Sequence, residues 1–241
     1  MRAGVHRGLV FLCLYAASLA WAAEPAQRLR AAQIPIPVAV VITEHANVID
    51  FSGPWEVFQD TAVPGTENPA FRLYTVGDSR QPVRLTGGLT VVPDYTFDDA
   101  PVPAVVVVGA QRGSARMTRW LQTVGRAPTT AALMSVCTGA FKLAEAGLLD
   151  GLPATTHHDF FDDFARRYPK VALERGPRFV QSAPHIFTAG GLTSGIDLAL
   201  HVVTLYFGAD TAQATGRYME YRVEPTAATR SAVSGEPATG R

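Results

Sequence analysis

Residues 104–108 read Ala-Val-Val-Val-Val, and residues 37–42 read Pro-Val-Ala-Val-Val-Ile. A strand with one face in water alternates apolar and polar positions, and neither run has a polar residue anywhere. Unbroken runs rich in β-branched residues mark strands covered on both faces, a burial that goes with parallel pairing. Residues 71–76 and 130–136 are read as two further strands. Helical patterns fill the intervals at 53–60, 114–124, 138–149, 159–168, 195–206 and 210–222. Gly147 and Gly151 punctuate the end of the helix from 138, and Pro169 follows the helix from 159. The Gly87-Gly88 pair between apolar residues predicts a hairpin within 84–92. Strands alternating with helices of about 10–15 residues define an α/β fold with a mostly parallel sheet and helices on both faces. One such domain, residues 36–222, accounts for all of the patterned sequence.

Composition removes several alternatives. With 47% hydrophobic and 17% charged residues among 241, the chain has too much apolar content for disorder. Its 21 basic and 21 acidic residues leave no electrostatic footprint of a nucleic-acid binder. Residues 1–22 stand apart: Arg2 and Arg7 precede an apolar stretch at 9–19, and Ala20-Trp21-Ala22 is a small-x-small site. That is the pattern of a signal peptide, cleaved before Ala23 for export to the periplasm or beyond. The stretch is too short to span a bilayer as a mature helix and lacks a basic stop-transfer flank; an uncleaved anchor is the competing reading. Cleavage would leave 219 residues, 19 basic and 21 acidic, with no expected membrane association. Residues 23–35 read as a linker and 223–241, small and polar without period, as a disordered tail.

Two cysteines, Cys13 and Cys137, can build neither a disulfide scaffold nor a four-cysteine zinc site. Cys13 would leave with the leader, so Cys137 is unpaired in an oxidising compartment, a liability unless buried or used. Its surroundings, Ser135-Val136-Cys137-Thr138-Gly139-Ala140, follow a buried-strand pattern and open a helix, in the form of a nucleophile elbow with cysteine at its centre. A helix N-terminus there would favour a thiolate of lowered pKa; a buried inert cysteine is the alternative. After the first strand comes Asn47-Val48-Ile49-Asp50-Phe51-Ser52-Gly53-Pro54, whose loop falls on the same carboxyl edge of the sheet. Asp50 is a candidate general acid or base, or else the cap of the next helix; Ser52, just before Gly53-Pro54, competes for the cap. Ala154-Thr155-Thr156-His157-His158 reads as a short strand ending in two histidines. An imidazolium there would lower a thiol pKa; the alternatives are a helix cap, a solvent-facing ring, or a metal site that lacks a third ligand nearby. Gly190-Gly191, before the helix from 195, reads as packing beside the site, and the absence of G-x-G-x-x-G gives no ground for a nucleotide cofactor.

Taken in order, these segments resemble the ThiJ/PfpI superfamily of class I glutamine amidotransferase-like proteins, from about residue 38 to 221. The carrying motifs are Ile49-Asp50-Phe51-Ser52-Gly53-Pro54, Ser135-Val136-Cys137-Thr138-Gly139-Ala140-Phe141 with Leu143-Ala144-Glu145-Ala146-Gly147-Leu148-Leu149, Ala154-Thr155-Thr156-His157, and Thr188-Ala189-Gly190-Gly191 with Gly195-Ile196-Asp197. Within it the sequence is most similar to the isocyanide hydratase branch and to the amidase-like sensor domain of AraC-type regulators. The resemblance implies a flavodoxin-like sheet, a homodimer, a small-molecule substrate and neither cofactor nor metal. For the hydratase branch it implies that Cys137 attacks the isocyanide carbon, Asp50 handles protons and Thr138 helps hold water or substrate. Gly109 and Ala110 would offer oxyanion N–H groups, with Gly53, His157 and Gly190 around the pocket. Three departures stand out: Val108-Gly109-Ala110-Gln111-Arg112-Gly113 stands where that branch has Pro-Gly-Gly after the third strand, Arg112 is placed to enter the pocket, and His158 stands where hydratases often carry tryptophan. The glyoxalase-like and protease-like members typically have glutamate where Asp50 stands. A noncatalytic periplasmic ligand-binding or redox-sensing domain is the reading from another class, and a glyoxalase or chaperone role is a third.

Overall fold

The computed structural model describes residues 34–222. The expected leader, most of the expected linker and the expected tail lie outside the described residues. The strands, in chain order, begin with β1 (Ile36–Val41), β2 (Phe71–Gly77), β3 (Val83–Arg84), β4 (Thr90–Val91), β5 (Tyr95–Thr96) and β6 (Val105–Val108). They continue with β7 (Ala132–Val136), β8 (Pro153–Ala154), β9 (Ala172–Leu173), β10 (Phe179–Ala183) and β11 (Ile186–Ala189). The helices are α1 (Val48–Gln59), α2 (Ala115–Arg126), α3 (Gly139–Glu145), α4 (Phe161–Arg167), α5 (Ser194–Phe207) and α6 (Ala209–Tyr218).

Seven strands form one sheet in the order β10-β11-β7-β6-β1-β2-β5. Every neighbouring pair is parallel except β10 with β11. The four patterned runs supply its centre, and the fold is α/β and flavodoxin-like. Strands β3 and β4 form the expected hairpin as a separate antiparallel pair. The β10–β11 hairpin went unanticipated, because polar Gln181, Ser182 and His185 interrupt its apolar positions.

The all-apolar strands divide between two cores by side-chain alternation. Val38, Val40, Val105, Val107 and Met134 face Val57 and Phe58 of α1 and Leu198, Val202 and Tyr206 of α5. Ala39, Val41, Val106, Val108 and Leu133 face Met117 and Leu121 of α2, Leu143 of α3 and Phe164 of α4. Full burial of each such side chain contributes about 1.5–3 kcal/mol relative to leaving it in water. The chain thus leaves β1 for one face of the sheet and β6 for the other, opening a switch point at the carboxyl ends of these two neighbours.

Helix α6 ends at Tyr218, four residues short of the expected 222, and two further boundaries differ near the site. Helix α1 begins at Val48 with Asn47 at its N-cap, five residues before the start suggested by Ser52-Gly53-Pro54. That triplet has the form of a cap followed by proline in the first turn, yet Pro54 is internal and Ser52 caps nothing. The difference places Asp50 in the first turn of α1 rather than in a free loop. Helix α3 ends at Glu145 because the chain turns through Gly147 at φ 69°.

Candidate functional site

The site is assembled at the switch point from three carboxyl ends: β1 leads to Asp50, β6 to Gly109 and Ala110, and β7 to Cys137. Cys137 has φ 58°, the left-handed region, between β7 and α3. A non-glycine residue there is strained by about 1–3 kcal/mol and persists only where its surroundings over-determine it. They do so here. The Cys137 N–H donates to the Gly190 carbonyl at 2.8 Å, and its own carbonyl accepts from Thr156 Oγ1 at 2.9 Å. Gly139 is required at the next turn, since a Cβ there would lie 2.1 Å from the Val108 carbonyl oxygen. The strand–turn–helix geometry is therefore that of a nucleophile elbow.

Asp50 is wholly buried, and its Oδ2 accepts the Ala110 N–H at 2.9 Å. The Ala110 carbonyl in turn accepts the Asn47 N–H at 2.8 Å, tying the β6 loop to the start of α1. Gly109 permits the approach, because a Cβ there would meet Asp50 Cβ at 2.8 Å. The thiol of Cys137 and the main chain at Leu192 complete the surroundings of the carboxylate. Burial raises Asp50 from the ordinary carboxylate range to about 6, against the opposing pull of Ala110, Cys137 and Leu192.

The same pairing reverses the expectation of a lowered thiol pKa. Burial first, and then the negative charge of Asp50, push Cys137 up to about 12. The N–H groups at Thr138 and Leu192 act in the opposite direction and lose. The favourable helix terminus belongs to a helix of only seven residues, while the thiol is 5% exposed. Cys137 and Asp50 form a thiol–carboxylate pair: at neutral pH the sulfur holds the proton and Asp50 is placed to receive it.

Other expected site residues have definite places. Thr138 contributes its main-chain N–H toward the sulfur, and its side chain caps nothing in α3. Ala110 was expected to offer its N–H to an oxyanion; that N–H is directed at Asp50, which the early start of α1 brings within reach. Gly53 lets α1 press on α5, since a Cβ would lie 2.8 Å from Ile196 Cγ1. Gly190 holds the Cys137 N–H. Arg112, expected at the pocket, is exposed, and its main chain is tied to Glu44 and Thr43.

His157 lies against Gly191, where a Cβ would meet its ring at 2.1 Å. Its Nδ1 accepts the Asp159 N–H at 3.2 Å, capping the short turn of residues 158–160. It is not among the groups that act on the thiol. The third ligand that sequence reading did not find near the two histidines is Asp159: one ligand atom from each of His157, His158 and Asp159 lies within 4.8 Å of the others. The two rings stack with centroids 4.4 Å apart and 23° between planes, so their in-plane lone pairs run in separate layers. That arrangement does not converge on one ion without rotating a ring.

Gln111 and Thr156, to which no site role was assigned from the sequence, both support the site. Buried Gln111 accepts from Thr43 N–H at 2.7 Å and Thr43 Oγ1 at 2.8 Å, and its Nε2 donates to the Gly109 carbonyl at 3.4 Å. It fixes the loop that presents Ala110 to Asp50. A polar residue directly after a buried strand was the available signal.

Fold and site together define an α/β protein with a cysteine elbow facing a carboxylate, and the chain belongs to the DJ-1/PfpI family, whose model matches residues 37–205. Isonitrile hydratase of Pseudomonas putida is 31% identical over 195 residues, 79% of this chain and 80% of that protein. The HTH-type transcriptional regulator GbdR of Pseudomonas aeruginosa is 31% identical over 156 residues, 63% of this chain but 41% of the regulator. A solved ThiJ/PfpI family protein from Pseudomonas syringae matches with TM-score 0.65 at 25% identity, over 82% of this chain and 84% of that one.

Proposed function

We propose that this protein is a cysteine-dependent hydratase of a small carbon–nitrogen electrophile, converting an isocyanide to an N-formamide. The observation that carries the reading is the buried Asp50 carboxylate against the thiol of an elbow cysteine held at φ 58°. Similarity to an isonitrile hydratase across four-fifths of that enzyme supports it. Sγ of Cys137 attacks the terminal isocyanide carbon while its proton passes to Asp50 and on to that carbon, giving a thioimidate. Water then adds across the C=N bond, its hydroxyl to carbon and its proton to nitrogen. Collapse to the formamide breaks the C–S bond, and the hydroxyl proton returns through Asp50 to the sulfur. No external oxidant or reductant is needed, and splitting the hydration in this way replaces one difficult step by two easier ones. Thr138 stands beside the sulfur to hold water or substrate.

The protein acts, in this reading, after export and removal of residues 1–22, as a homodimer and without cofactor. Hydration of alkyl and aryl isocyanides, followed by formamide formation, tests the activity; it should vanish in Cys137→Ala. No turnover across such a panel, with micromolar ligand binding indifferent to Cys137→Ala, overturns it. That outcome would favour a ligand-binding domain instead, a reading supported by the match to part of a transcriptional regulator and by the covered, protonated thiol. An N-terminus at Ala23 in the periplasmic fraction, and a dimer mass by light scattering, test export and assembly.

A further inference from the structure

The Cys137–Asp50 pair is also approached by the loop from β11 into α5, which carries Gly190-Gly191. Leu192 in that loop has φ 54°; the loop is tied to the elbow by the Cys137 N–H on the Gly190 carbonyl at 2.8 Å, and the Leu192 N–H opposes the upward shifts of both the thiol and the carboxylate. A leucine in the left-handed region relaxes toward extended backbone unless both sides of it are held.

Arg178 holds both sides. Its carbonyl accepts the Gly190 N–H at 2.9 Å, and the Gly190 carbonyl accepts the Cys137 N–H at 2.8 Å. Its guanidinium reaches past the strained residue: Nη2 donates to Thr193 Oγ1 at 3.1 Å, and Nε donates to Asp197 Oδ2. Asp197, 9% exposed in the first turn of α5, has its other oxygen engaged by the Tyr221 hydroxyl at 3.0 Å. Within the loop, the Gly191 and Leu192 carbonyls accept from Ser194 and Gly195, each at 3.1 Å.

We propose that Arg178 is a positioning residue for the Cys137–Asp50 pair, bracketing residues 190–197 so that the Gly190 carbonyl that holds the Cys137 N–H and the strained backbone at Leu192 keep their places. The inference rests on the reading of that pair as the working site. An ion pair with a 45% exposed partner stabilises a fold little, so the value of the Arg178 fork is geometric. It has two directed donors on two different residues, which the point charge of a lysine does not reproduce. Tyr221, beyond α6, extends the bracket to the end of the described chain.

The test is the rate of Cys137 alkylation by iodoacetamide between pH 5 and 9, which needs no substrate. In the wild type the rate should rise with ionisation of Asp50. In Arg178→Gln it should fall on the order of 10-fold at pH 7, with its inflection moved to higher pH. Arg178→Lys should recover only part of the loss. Should Arg178→Gln not fold, the double variant Thr193→Val with Tyr221→Phe, which removes two bonds on the Thr193–Asp197 side of the bracket, carries the test with the same expected shift. A folded variant of either kind whose profile superposes on the wild type overturns the proposal. Coincident profiles for wild type and Asp50→Asn would instead remove the pair itself, and the proposal with it.

Discussion

The carboxylate of Asp50 stands against the thiol of Cys137 and is fixed there by the Ala110 N–H at 2.9 Å. The pairing has two opposed effects. A neighbouring negative charge disfavours the thiolate, yet the same carboxylate is the base that makes one during attack. Asp50→Asn should therefore lower the Cys137 pKa from about 12 toward the ordinary thiol value while reducing isocyanide turnover by about 10²–10⁴-fold. For the wild type, Asp50 must be ionised to accept the proton, so kcat/KM should rise with pH through about 6. Turnover that survives Asp50→Asn would show that the carboxylate is not the base.

The same substitution has a stability consequence of opposite sign. Asp50 is raised in the folded state from 3.8 to about 6, so the folded protein binds this proton more tightly than the unfolded chain does. The stability that goes with that proton is complete below about pH 4 and is lost as the pH rises through 6. Asp50→Asn, which never ionises, should be the more stable protein at pH 7 by up to about 3 kcal/mol, with the advantage vanishing near pH 4. Denaturant melts at the two pH values check this, and equal differences at both would contradict it.

Much of this was legible in the chain because the signals were local. The unbroken apolar runs of β1 and β6 encode two covered faces, and Cys137 between a buried strand and Gly139-Ala140 encodes the elbow. What was not legible came from contacts between distant segments. The start of α1 at Val48 is stabilised by Asn47 bonding to Ala110, across 63 residues, while the local Ser52-Gly53-Pro54 pattern pointed to a later start. The direction of the thiol pKa depends on burial and on Asp50, neither of which a helix-start pattern contains. Arg178 carries no motif, since its role is set by what its two ends touch.

Gln111 offers a test of the β6 loop independent of the reacting groups. Its carbonyl oxygen receives two bonds from Thr43, so Gln111→Leu leaves the buried N–H of Thr43 without a partner, while the Thr43 hydroxyl keeps the Arg112 carbonyl. The expected cost is about 1–3 kcal/mol per unsatisfied group, read as a lower denaturation midpoint with unchanged slope. Because the loop also presents the Ala110 N–H, the Asp50 limb of the activity profile should move to higher pH. A purely structural role would lower the midpoint and leave that limb in place.

Thr156 tests whether the strained turn at Cys137 depends on being held from outside. Its buried Oγ1 donates to the Cys137 carbonyl at 2.9 Å, opposite the bond from the Cys137 N–H to Gly190. Thr156→Val keeps shape and volume close while deleting that donor. The fold should lose only about 1 kcal/mol, the usual net worth of one hydrogen bond. The sulfur, however, is aimed by a φ of 58° that relaxes when either tether is cut, and a small misplacement of a reacting atom is costly in rate. Turnover should therefore fall by more than about tenfold in kcat with KM little changed. A Thr156→Val protein with wild-type kcat would mean that β7, Gly139 and Gly190 hold the elbow by themselves.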